Sequence, residues 1–286
     1  MTEKRFGFIA VIGPPNAGKS TLSNAIVGQK VAIVTHKAQT TRARLRAVVM
    51  HEQSQVVLVD TPGIFSGAKK LDKAMVQEAW SGAEEADAVL VVLDASRALP
   101  AEIELVLAGV KNTYKPVILV LNKVDAVKRE KLLELTQQLN EAANFAYTFM
   151  VSALKETGLE ELKSYLAQLV PEGPWHYPED MAADVPSLLL AAEVTREKLF
   201  LRLHQELPYA LTVETESWKR QKDGSLRLEQ VIFVRRDSQK AIVLGKRGQS
   251  IREIGSQARL EMEDIFGHKV HLFLFVKVRD NWIDDP

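Results

Sequence analysis

Residues 6–21 read FGFIAVIGPPNAGKST, and their reading decides the fold. Phe6 to Ile12 is a short apolar run of the kind that forms a buried strand, and the residues from Lys19 onward carry helical spacing. The join satisfies G-x-x-x-x-G-K-[ST] at Gly13, Gly18, Lys19 and Ser20, a loop whose backbone N–H groups cradle phosphate at a helix N-terminus. Pro14 and Pro15 have no N–H to offer. In such a cradle the donors come mainly from the second half and first helical turn, here Asn16, Ala17, Gly18, Lys19, Ser20 and Thr21, so the prolines stiffen the loop and remove little donor capacity. Lys19 would neutralise the β- and γ-phosphates, and Ser20 would hold Mg²⁺.

Working outward, strand-like runs at 6–12, 45–50, 55–59, 88–93, 116–121 and 146–151 are interleaved with helical spacing, as at 71–82, 128–141 and 158–169. This βαβ repetition predicts an α/β domain with a mostly parallel six-stranded sheet, its strands buried on both faces beneath helices. Three more motifs fall at strand C-termini, where open α/β sheets bind ligands. The first is Asp60, Thr61, Pro62 and Gly63: the Asp60 carboxylate suits the Mg²⁺ water shell, and the Gly63 N–H can sense a γ-phosphate. The second is Asn122, Lys123, Val124 and Asp125, where the Asp125 carboxylate can accept two hydrogen bonds from guanine, a donor pair adenine lacks. The third is Ser152, Ala153 and Leu154, with the Ala153 N–H expected to meet guanine O6.

The polar stretch 29–42 is a candidate switch in which Thr41, or Thr40, would ligate Mg²⁺ while a γ-phosphate is present. Ile64 follows Gly63, where Ras-type switches carry a water-orienting glutamine, so slow intrinsic turnover is expected. The Asn16 amide oxygen lies where a carbonyl could ligate K⁺ in place of an arginine finger, or it serves only loop hydrogen bonds. The catalytic set read here is Lys19, Asn16 and Thr41. Arg42, Arg44 and Arg46 read as the solvated face of an edge strand.

Composition narrows the classes. The chain has 286 residues, 46% hydrophobic, with 37 Lys and Arg against 37 Asp and Glu and no cysteine. Balanced charge argues against a global pull toward nucleic acid, and the absence of cysteine excludes disulfides, thiolate catalysis and Cys-ligated metal. No apolar run approaches the roughly 18 residues of a membrane span, and a soluble cytoplasmic protein is expected.

The proline-rich stretch at 171–186, PEGPWHYPEDMAADVP, has no periodicity and reads as an interdomain linker. Beyond it the order is α-β-β-α-α-β, with Gly245, Lys246, Arg247 and Gly248 between two helical stretches. That arrangement is similar to a type II KH domain, whose G-x-x-G loop clamps the backbone of about four single-stranded nucleotides. Ile242, Val243, Ile251 and Ile254 would form the groove floor, or core, with core the role expected for at least half of them. Residues 179–286 carry 17 Lys and Arg against 18 Asp and Glu, so RNA binding would rest on loop and groove geometry more than on bulk attraction.

The segment 6–155 resembles a translation-factor-class small GTPase of the Ras-like fold, and GPPNAGKST, KAQTTR, DTPGI, NKVD and SALKETG resemble the Era family of bacterial ribosome-assembly GTPases. REKL, ELPYALTVE, GKRGQSI and VHLFLFVKV extend the likeness to about Trp282. The double proline and Ala17 depart from the family pattern. The resemblance implies a GTPase domain over 1–171, a linker over 172–186 and a KH domain over 187–286. It further implies GTP and GDP as ligands, Mg²⁺ as cofactor, K⁺ at Asn16, and binding of 16S rRNA near its 3′ end through Gly245, Lys246, Arg247, Gly248, Ile242 and Ile251. It also implies a role in 30S ribosomal subunit assembly and peripheral association with the cytoplasmic face of the inner membrane; a monomer is expected. An RNA-binding module using nucleotide only as a structural ligand is the alternative, disfavoured by the complete Lys19, Ser20, Thr41 and Asp60 set.

Overall fold

The computed structural model describes residues 3–34, 45–60, 83–97, 102–179, 181, 187–203 and 207–279. The first unit contains β1 (Arg5–Ile12), α1 (Lys19–Val27), β2 (Leu45–His51), β3 (Ser54–Asp60), β4 (Ala88–Asp94), α2 (Glu102–Asn112), β5 (Val117–Asn122), α3 (Arg129–Ala142), β6 (Tyr147–Met150) and α4 (Leu159–Leu169). One six-stranded sheet runs β2-β3-β1-β4-β5-β6. Every pairing is parallel except that of β2 with β3. The expected Ras-like architecture is therefore present. The helix expected at 71–82 lies outside the described residues.

Alternation along the central strands divides the core in two. Ile9 and Val11 of β1 join Leu90, Val92, Ile118 and Val120 on one face, while Ala10 and Ile12 join Val89, Val91, Leu119 and Leu121 on the other. Strands covered on both faces need no polar positions, which is why they are continuous apolar runs. The edge strand β6 departs from that expectation: Tyr147 and Met150 are exposed. Its Tyr147 and Phe149 rings instead pack with Tyr165 of α4, at centroid distances of 5.1 and 5.4 Å.

The first part of the expected linker is corrected by the structure. Glu172 bridges to Arg5, and the Gly173 N–H donates to Lys4 O at 2.9 Å. Trp175 Nε1 donates to Gln53 O at 3.1 Å. Gln55, fully buried on β3, accepts from the His176 and Tyr177 amides at 3.0 and 2.9 Å and donates Nε2 to Tyr177 O at 2.9 Å. His176 stacks on Phe6 with a 4.0 Å centroid separation. Residues 172–177 thus belong to the first unit, and among the described residues the division into compact units falls between Met181 and Ser187. Residues 180 and 182–186 of the expected linker lie outside the described residues.

The second unit contains α5 (Ser187–Arg202), β7 (Leu211–Arg220), β8 (Leu226–Val234), α6 (Asp237–Leu244), α7 (Gln249–Phe266) and β9 (Val270–Val278). The sheet order is β7-β8-β9, with β7 antiparallel and β9 parallel to β8. The expected α-β-β-α-α-β order is observed. The β7–β8 turn is held by Asp223 Oδ1, which accepts the Ser225 N–H at 3.0 Å and its hydroxyl at 2.6 Å, and Gly224 takes φ 82° there.

Candidate functional site

The loop after β1 is shaped by its two glycines. A Cβ on Gly13 would stand 2.2 Å from Val92 O of β4, and one on Gly18, at φ 92°, would stand 2.3 Å from Asn122 Nδ2. The β4 backbone at the first position and the Asn122 side-chain amide at the second leave no room for a side chain. Asn16 is left-handed at φ 61°. α1 starts at Lys19 with neither a side-chain cap nor an acidic residue in its first turn, which suits its amides to an anion.

Lys19 is buried, 7% exposed, and its Nζ donates to Gly13 O and Pro14 O at 3.0 Å each. Pro14, which lacks a donor, thus contributes its carbonyl. Burial pushes the Lys19 ammonium down to about 8, against the pull of the Asp60 carboxylate. Asp60, the last residue of β3, is also fully buried; burial raises its pKa while Lys19 and the Ser20 hydroxyl, 2.7 Å from Oδ2, oppose the rise. Its Oδ1 has no hydrogen-bond partner among the described residues. A desolvated lysine and a desolvated carboxylate with an orphaned oxygen, beside a serine hydroxyl, fit a site completed by phosphate and a hard cation.

A pH prediction follows from Lys19. A phosphate beside Nζ would return its pKa toward the ordinary value, so above about pH 8 nucleotide binding should take up a proton and weaken as pH rises. Calorimetric titration of GDP at pH 8.5 in two buffers of different ionisation enthalpy should show net uptake; none would mean that Lys19 is not desolvated in the free protein. The stability of the nucleotide-free fold runs the opposite way. Between about 8 and the ordinary lysine value of 10.5 the unfolded chain holds more protons, so the nucleotide-free fold gains stability as pH rises through that range.

On the base side, Asn122 faces inward. Its Nδ2 donates to Ala17 O at 3.0 Å, and its Oδ1 accepts the Lys123 N–H at 2.8 Å and the Ala153 N–H at 3.0 Å. One amide thereby ties three loops. The Ala153 N–H, expected to meet guanine O6, donates here to Asn122. Leu154, next along, is well exposed. Asp125 Oδ1 accepts the Ser152 hydroxyl at 2.6 Å, and Ser152 Oγ accepts the Lys155 N–H at 3.2 Å. The Val124 N–H donates to Val151 O at 3.3 Å. Asp125 is therefore pre-oriented by the 152–155 turn, with its second oxygen left for a base.

Sequence reasoning missed Asp94, the last residue of β4. Its Oδ2 lies 2.7 Å from Lys123 Nζ, which also donates to Asn16 O at 2.8 Å. Burial pushes the Asp94 carboxyl up, but the bonds from Lys123 and Ser96 together hold it below its ordinary value. The available signal was a carboxylate ending the apolar run AVLVVLD. The structure thus brings together residues 13–21, Asp60, 122–125 and 152–154. Thr40, Thr41, Thr61, Pro62, Gly63 and Ile64 lie outside the described residues.

In the second unit, Gly245 is at φ 71° and a Cβ there would meet Ser250 Cβ at 2.6 Å, so only glycine fits. Gly248, at φ 73°, has open space around it and is required for conformation alone. Between them Arg247 is left-handed at φ 54°, and it and Lys246 are exposed. Val243 and Ile254 are fully buried, Ile251 packs partly buried against the same core, and Ile242 is 57% exposed. Two of the four apolar residues are thus plain core, and Ile242 remains at the surface beside the loop.

A family model described as 50S ribosome-binding GTPase matches residues 8–123, and one described as KH domain matches residues 206–283. GTPase Era of Sinorhizobium medicae is 56% identical over 282 residues, covering 99% of this chain and 91% of the relative. GTPase Era of a Bradyrhizobium species is 58% identical over 284 residues, covering 99% and 92%. Among solved structures, an Aquifex aeolicus Era variant bound to GDP·AlF4⁻ superposes with a TM-score of 0.92 at 37% identity, covering 99% of this chain and 96% of the other. Era in complex with MgGDPNP and nucleotides 1506–1542 of 16S ribosomal RNA gives 0.93 at 37% identity, with the same coverage.

Proposed function

The chain belongs to the Era family of GTPases, and from that premise we propose that it is a GTP-hydrolysing switch that binds 16S rRNA near the 3′ end and assists 30S subunit assembly. The observation that carries the reading is the convergence of Lys19, Ser20 and Asp60 with an Asp125 carboxylate already oriented by Ser152. The first set meets phosphates and the second meets guanine.

Ser20, Thr41 and, through water, Asp60 would hold Mg²⁺, which when bound neutralises charge on the β- and γ-phosphates. Lys19 exchanges two loop carbonyls for phosphate oxygens. Asn16 would ligate a K⁺ that would supply the charge of an arginine finger; its backbone carbonyl is held by Lys123 and its conformation is left-handed. The nucleotide half is taken as 1–177 and the RNA half as 187–286. Lys246 and Arg247 on the Gly245–Gly248 loop would meet RNA phosphates, with Ile242 and Ile251 beside them. A cytoplasmic monomer associating peripherally with the cytoplasmic face of the inner membrane completes the reading on the family resemblance. Among the described residues no helix is long and apolar enough to cross a membrane.

The RNA assignment is tested by reversing charge in the clamp. With an RNA carrying the 3′ end of 16S rRNA, the double variant Lys246→Glu, Arg247→Glu should bind at least about ten-fold more weakly and lower the salt slope by about two. The wild-type protein should bind that RNA more tightly with GDPNP than with GDP. Unchanged affinity and slope would remove the loop from the interface. Mg²⁺-dependent phosphate release from GTP separates the switch from a module that holds nucleotide only as a structural ligand.

A further inference from the structure

We propose that Asp94 is a positioning residue that couples the guanine-binding loop to the phosphate loop by holding Lys123. The proposal rests on the GTP-site reading above. Asp94 Oδ2 receives Lys123 Nζ at 2.7 Å, and the same ammonium donates to Asn16 O at 2.8 Å. The other oxygen, Oδ1, is secured by the Ser96 N–H at 3.0 Å and hydroxyl at 2.5 Å, so the carboxylate is fixed before the lysine reaches it.

Burial separates this pair from an ordinary surface ion pair. The Asp94 side chain is 10% exposed and that of Lys123 is 35% exposed, whereas exposed pairs contribute little. The backbone of Lys123 is left-handed, at φ 65°, and its neighbour Asn122 holds Ala17 O. Two consecutive phosphate-loop carbonyls, of Asn16 and Ala17, are therefore gripped by two consecutive residues of the base loop. Asn122 makes its grip with an amide held in place by the Lys123 and Ala153 N–H groups. Lys123 can make its own only while a counter-charge keeps its ammonium in place, since the carbonyl is a neutral acceptor and Asp94 is the charged one.

Without the Asp94 charge the ammonium would swing toward solvent. Asn16 O would lose its donor, and the lysine stem beside the base would lose its fixed course. Both changes fall on contacts that GDP and GTP share, so the consequence is a loss of affinity equal for the two nucleotides.

The test compares wild type, Asp94→Asn, Lys123→Ala and the double variant in the full chain, using fluorescent GDP and a GTP analogue. Wild-type binding of fluorescent GDP is the control for the site reading; its absence would overturn that reading rather than the role of Asp94. Asp94→Asn should bind both nucleotides about ten-fold more weakly, by the same factor. The double variant should bind no more weakly than Lys123→Ala alone. Asp94→Asn with wild-type affinity, a loss confined to one nucleotide, or losses that add in full would each overturn the proposal. Should Asp94→Asn not fold, Ser96→Ala decides: it frees one carboxylate oxygen and should show a smaller loss, equal for GDP and GTP, and no loss would count against the coupling.

Discussion

Asp125→Asn is expected to exchange guanine for xanthine nucleotides, weakening GDP and GTP binding by about a thousand-fold while XDP and XTP come to bind in their place. Guanine presents N1–H and an exocyclic amine to the carboxylate, and the asparagine amide would set a donor against that amine, leaving two donors facing each other. Xanthine carries a carbonyl at that position, which accepts from the new amide. The swap should work cleanly here because Oδ1 of residue 125 already accepts the Ser152 hydroxyl at 2.6 Å. A hydroxyl donor keeps the oxygen of the new amide on its own side, leaving the NH₂ free for the base. Competition binding with GDP, XDP and ADP checks this. Unchanged preference in the variant, or ADP competing as well as GDP in wild type, would show that Asp125 does not read the base.

Lys19→Ala is expected to abolish measurable GTP hydrolysis and to weaken nucleotide binding by about a hundred-fold or more, since it removes the charge facing the β- and γ-phosphates. Its effect on the nucleotide-free fold should be small. Lys19 sits desolvated with its pKa pushed down to about 8, so losing it relieves a buried charge while leaving Gly13 O and Pro14 O without their donor. These opposing changes are each of order 1–3 kcal/mol. Thermal melting without nucleotide should therefore shift by only a few degrees, and the rise in melting temperature that GDP gives the wild type should vanish. Residual phosphate release near the wild-type rate would overturn the assignment of Lys19.

Much of this was readable from local pattern. β1, β3, β4 and β5 were found within a residue or two because strands covered on both faces are uninterrupted apolar runs. The sequence of β6 reads as a buried strand, but as an edge strand it leaves Tyr147 and Met150 exposed. The start of the expected linker departs from local pattern for a related reason. Proline and the absence of periodicity announce irregular backbone, but they are silent about whether Gln55, far away in sequence, will bond to His176 and Tyr177. Ile242 and Val243 are adjacent and alike in type, yet one is exposed and the other buried.

By itself the sequence determined the ligand class and the architecture: glycines, a lysine and carboxylates at fixed spacing after apolar strands specify a phosphate cradle and a base reader whatever else the chain does. Only the tertiary structure decided how those parts hold one another, with Asn122 turned inward, the Ala153 amide directed to it, and Asp94 holding Lys123 against Asn16. The reason is that a parallel sheet places the ends of β1, β4 and β5 side by side although connections of many residues separate them. Hydrogen bonds between those ends therefore leave no local pattern in the sequence.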